Sequence, residues 1–214
     1  MHRAIRTFFC IFAMALIAGC SSAYYETMET FGFEKRDLLV DRVEDARDAQ
    51  DDASEQFASA LEQFRATVNF DGGDLEKTYD RLNDEYERSA DEAETVRERI
   101  EEVGEVAEDL FEEWELELEE YSSARLKSES QAMLNETRGR YAQLMRAMQR
   151  AEATMDPVLD AFRDQVLVLK HNLNARAIGS LRGELANIER DTERLVAEMQ
   201  QSIAEADAFI ASMK

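Results

Sequence analysis

Proline is almost missing from this sequence: Pro157 is the single one in 214 residues, and glycine occurs only eight times. Turn-rich β folds draw on both residues for special backbone angles, so a sandwich or barrel is excluded. The same scarcity excludes Gly/Ser-rich or Pro-rich linkers. Two cysteines, Cys10 and Cys20, and two histidines, His2 and His171, leave little for redox or transition-metal chemistry. Positive charge is short too, with 25 Lys+Arg against 47 Asp+Glu and a formal charge of -22. Phosphate contacts need Lys or Arg and this mean field repels a polyanion, so no nucleic-acid partner is expected. Neither G-x-x-x-x-G-K-[ST] nor G-x-G-x-x-G occurs, and no cofactor is expected.

One long apolar run is present, and it lies at the start. His2, Arg3 and Arg6 precede an uncharged stretch from Phe8 to Ala18. A bilayer core takes about 20 helical residues, so the run is too short to span and has the make-up of a signal peptide. It closes on Leu16-Ile17-Ala18-Gly19-Cys20, which matches the bacterial lipobox. Small side chains at Ala18 and Gly19 let the extended chain enter a signal-peptidase cleft. The Cys20 thiol takes diacylglycerol, and cleavage frees an amine that is acylated in turn. We therefore expect residues 1–19 to be a cleaved leader, Cys20 the lipid-attachment residue and 20–32 a short tether.

Each buried methylene adds about 0.8 kcal/mol, so two or three acyl chains hold the protein on a membrane essentially permanently. Loss of Arg3 and Arg6 moves the formal charge from -22 to -24, and with Cys20 a thioether neither a free thiol nor a disulfide is expected. Ser21, where an Asp would favour inner-membrane retention, points to an outer-membrane lipoprotein with the periplasmic face as its default side. Extended at ~3.5 Å per residue, the tether reaches about 40 Å and keeps the body close to the lipid. Tyr24 and Tyr25 either rest at headgroup level or pack on the first helix.

From residue 33 to 214 the pattern is helical. In Leu75–Tyr121 one heptad series is Tyr79, Tyr86, Ala93, Ile100, Ala107, Trp114 and Tyr121. The interleaved series is Leu75, Leu82, Ser89, Val96, Val103, Leu110 and Glu117. Alternating steps of three and four make a coiled-coil-like seam. The preceding segment has smaller knobs, with Ala46, Ala53 and Ala60 alternating with Val43, Phe57 and Phe64. Between the two, Asn69–Asp74 holds Gly72 and Gly73 and ends in an acid placed to cap the next helix, so a helical hairpin is expected.

A second junction falls at Tyr121-Ser122-Ser123. A third series follows through Leu134, Tyr141, Met148, Met155, Phe162 and Leu169, interrupted by Pro157. Asp156-Pro157 fits a cap with proline at the first helical position. The last series runs Leu181, Ile188, Leu195, Ser202 and Phe209. The expectation is an all-α, elongated antiparallel bundle of three to five long helices.

Four features compete as sites. Glu101–Glu120 holds eleven acids and no base; its like-charged i,i+4 pairs each cost a few tenths of a kcal/mol. We read it as a solvated face, the alternative being a weak patch for divalent cations or a basic partner. Asn69–Asp80 fails as an EF-hand loop, having Asp74 and Asp80 where that loop needs Gly and Glu. The polar run Lys170, His171, Asn172, Asn174 and Arg176 breaks the apolar rhythm, and is expected to form a buried polar layer fixing register or a partner contact. Met133, Met145, Met148 and Met155 read as gap-filling core residues. No Ser-His-Asp set or metal-ligand spacing is legible around the lone body histidine.

Several stretches resemble an uncharacterised family of Gram-negative all-helical lipoproteins, a domain of unknown function. They are Lys35-Arg36-Asp37-Leu38-Leu39-Val40-Asp41-Arg42-Val43, Leu110-Phe111-Glu112-Glu113-Trp114, Leu169–Ile178 and Ser180-Leu181-Arg182-Gly183-Glu184-Leu185. The resemblance spans nearly all of the chain after the leader. It implies a helical, surface-anchored protein and carries no catalytic residues. Together these readings lead us to expect a lipid-anchored periplasmic scaffold or interaction protein, not an enzyme, with protein partners and a seam that could also pair two copies. The alternatives are a cell-wall-acting enzyme or modulator using carboxylates, and an acidic surface responsive to divalent cations.

Overall fold

A computed structural model describes residues 35–70, 72, 74–172 and 174–213, the side chains of 175–177 excepted. Residues 1–38 and 39–214 form separate units, and of the first only the opening helical turn, Lys35–Leu38, is described. Five helices follow one another: α1 (Lys35–Val68), α2 (Leu75–Glu120), α3 (Ala124–Ala153), α4 (Met155–His171) and α5 (Ala175–Met213). Among the described residues there is no strand. The fold is the all-α bundle that the periodicity predicts. At 1.5 Å per residue α2 is roughly 70 Å long.

The helices of the second unit pair antiparallel, as side chains reaching between them record. Gln56 of α1 donates to the Glu85 carboxylate of α2 at 2.7 Å, while Arg42 lies 3.9 Å from Glu102. Arg47 and Arg65 of α1 meet Asp207 and Glu189 of α5 at 3.2 and 2.6 Å. Arg97 of α2 pairs with Asp156 of α4, and Gln143 of α3 donates to Glu205 of α5 at 2.8 Å. Each is partly exposed and stabilises little on its own.

Apolar layers do most of the holding. In α1, Leu39, Val43, Ala46, Ala53, Phe57 and Phe64 have no exposed surface. The α2 seam is buried at Leu82, Ser89, Ala93, Val96, Ile100, Val103, Ala107 and Leu110. Leu134, Met148, Met155, Phe162 and Leu169 bury the third series, and Leu181, Ile188, Leu195, Ser202 and Phe209 the last. Phe64 and Phe162 meet edge to face, 6.2 Å between centroids. Alanines at so many seam positions let backbones approach closely.

A polar element within this core departs from the sequence reading. Gln50 is fully buried with neither amide atom hydrogen-bonded, and the Oγ atoms of Thr192 and Ser202 and Oε1 of Gln165 are likewise without partners. Lys170, His171, Asn172 and Asn174, expected to form either a buried layer or a partner contact, are exposed, which removes the buried layer. Asn172 and Asn174 belong to the α4–α5 connection, where Asn172 N–H donates to Leu169 O and Asn174 N–H to Asn172 O. The apolar rhythm stops there because a helix ends; Lys170 and His171 stand in its last turn, where the negative end of the dipole favours cations. Arg176 has its side chain outside the described residues, as does all of Cys20.

Helix ends follow local chemistry. The Asp74 carboxylate accepts from the N–H groups of Glu76 and Lys77 at 3.2 and 3.4 Å and caps α2. Gly72 before it takes φ +144°, a conformation that L side chains rarely adopt. Ser123 caps α3 through the Leu126 N–H. At the proline the expected boundary shifts. Helix α4 begins at Met155, so Asp156 is not its cap and Pro157 is its third residue. Proline lacks an N–H and its ring crowds the carbonyl four residues back, that of Ala153, where α3 stops. Thr154 alone joins the two helices, with its N–H and hydroxyl donating to Ala151 O.

Candidate functional site

The far end of the α2/α3 hairpin gathers the chain's unusual surface chemistry. Its inner face begins with Phe111 of α2, whose ring meets Tyr141 of α3 edge to face at 5.4 Å between centroids. Arg138 lies over the Phe111 ring, 5.1 Å from its centroid, and its guanidinium pairs with Glu115. That pairing holds the Glu115 carboxyl below its ordinary pKa, and burial pushes the Tyr141 phenol up. Trp114 Nε1 donates to Ser130 Oγ at 2.9 Å, and Lys127 pairs with Glu119 at 2.9 Å near the turn.

Beyond these contacts burial thins sharply. From Glu112 to the end of α2 only Leu118 is buried, and in α3 before Leu134 only Ser130 is. The heptad series predicts Glu117 and Tyr121 to continue the seam, but both are exposed. Two helices meet along one line only, and their remaining faces go to solvent.

Four of the five large apolar side chains exposed among the described residues stand here: Leu116, Tyr121, Leu126 and Met133. Met133, read from the sequence as core, is 55% exposed. Its signal was available, since Leu126 and Met133 lie one heptad apart; the stronger series starting at Leu134 concealed it.

The acidic run is partly neutralised. Arg42 and Arg99 approach Glu102, Arg138 approaches Glu115, and Lys127 approaches Glu119. Among the described residues, Glu112, Glu117 and Glu120 form no ion pair. No group of three or more His, Cys, Asp or Glu there could hold a metal ion.

Next to this end, between α3 and α5, a groove of about 270 Å³ is lined by Arg140, Gln143, Glu205, Ala208, Phe209 and Ser212. Its one carboxylate, Glu205, already accepts from Gln143. Of the polar residues singled out from the sequence, Lys170, His171, Asn172 and Asn174 lie together at the α4–α5 connection and contribute nothing to this groove.

Among the described residues no helix is long and apolar enough to cross a membrane. No curated protein and no solved structure matches the chain. A family model does, over residues 24–213, under the description "Protein of unknown function (DUF2959)". With that match spanning the whole helical body, the chain belongs to this family of unknown function.

Proposed function

We propose that this protein is a lipid-anchored helical scaffold or interaction component of the bacterial cell envelope, tethered through Cys20 to the outer membrane and facing the periplasm. The observation that carries the reading is the sequence Leu16-Ile17-Ala18-Gly19-Cys20 at the end of a basic-then-apolar leader. The family match begins at residue 24, just past that cysteine, which agrees with a leader distinct from the helical body. What the body offers a partner is long helix faces and one hairpin end with exposed apolar groups. Such surfaces suit protein–protein contact.

The competing enzymatic reading needs two carboxyls facing across a cleft with split pKa values. The α3/α5 groove supplies one carboxylate, engaged by an amide. That groove does not meet the requirement.

Metabolic labelling with a radioactive fatty acid tests the anchor. Label should enter the wild-type chain and be lost in Cys20→Ala, which should leave the detergent-extracted membrane fraction or accumulate as a precursor. Unchanged labelling and extraction would overturn the anchor.

A further inference from the structure

We draw no further inference here: the strongest candidate, the exposed apolar patch of Leu116, Tyr121, Leu126 and Met133 at the end of the α2/α3 hairpin, carries none because nothing in the structure shows what covers it.

Discussion

Trp114 Nε1 donates to Ser130 Oγ across 2.9 Å, joining the two helices of the hairpin sixteen residues apart in the chain. Ser130 is itself buried at 5% exposure, so its hydroxyl is placed to receive this one donor. Trp114 is the only tryptophan in the chain and therefore an optical reporter of this contact. Ser130→Ala should lower stability by about 1 kcal/mol and shift the emission of Trp114 to the red as its N–H turns to water. Equilibrium urea unfolding followed by tryptophan emission and by circular dichroism checks both. An unchanged emission maximum would mean that the bond does not form in solution.

Gln50 offers the opposite experiment. Its amide is buried without a hydrogen-bond partner on either atom. An amide moved from water to such a site costs free energy that an apolar side chain of similar length does not. Gln50→Leu should raise stability by about 1–3 kcal/mol and increase the urea midpoint at unchanged slope. A decrease would show that the amide is satisfied by an internal water.

Val103 has no exposed surface and lies on the buried seam of α2. Val103→Asp places an uncompensated carboxylate there and should cost about 3–5 kcal/mol at neutral pH. Because protonation relieves the charge, the deficit should shrink as pH falls towards 4. Thermal melts at several pH values measure it; a pH-independent deficit would point to lost packing instead of charge burial.

The Asp74 cap makes a pH prediction of known sign. The backbone N–H of Lys77 above all, opposed by a smaller desolvation effect, holds the Asp74 carboxyl below its ordinary value in the folded chain. A depressed folded pKa gives stabilisation that is present above the unfolded value, about 3.9, and is lost as pH falls through the folded one. Asp74→Ala should therefore lower the melting temperature at pH 7 and make the acid side of the stability profile shallower. Parallel profiles for the two proteins would contradict the cap.

Much of the architecture could be read in the residue order, because a repeat of three and four survives wherever helices meet along their length. Ala46, Phe57, Val96 and Ile188 were placed in the core by that repeat alone, and all are buried. The Asn69–Asp74 turn was legible for a different reason: glycine and a capping acid each have a local job. What the repeat does not carry is how many helices face a given stretch. Trp114, Glu117 and Tyr121 keep the heptad spacing of Val103 and Leu110, yet they lie where two helices meet instead of four. Met133 was misread for the same reason. The polar run at Lys170–Arg176 breaks the rhythm whether it lines a core or ends a helix, and only three-dimensional placement separates the two. Pro157 was tied to the right break but set two residues late, because the obstruction falls on the carbonyl behind it.

The alanine seam limits how this protein can change. At Ala46, Ala53, Ala93, Ala107, Ala147, Ala151 and Ala206 there is no exposed surface to speak of and no rotamer to adjust. An added carbon at any of these levels has nowhere to turn, so two backbones must part to admit it. Long helices are stiff, and a wedge driven in midway levers apart contacts several turns distant. Sequence drift should therefore be tolerated readily on the outer faces and scarcely at all along this narrow methyl-lined track.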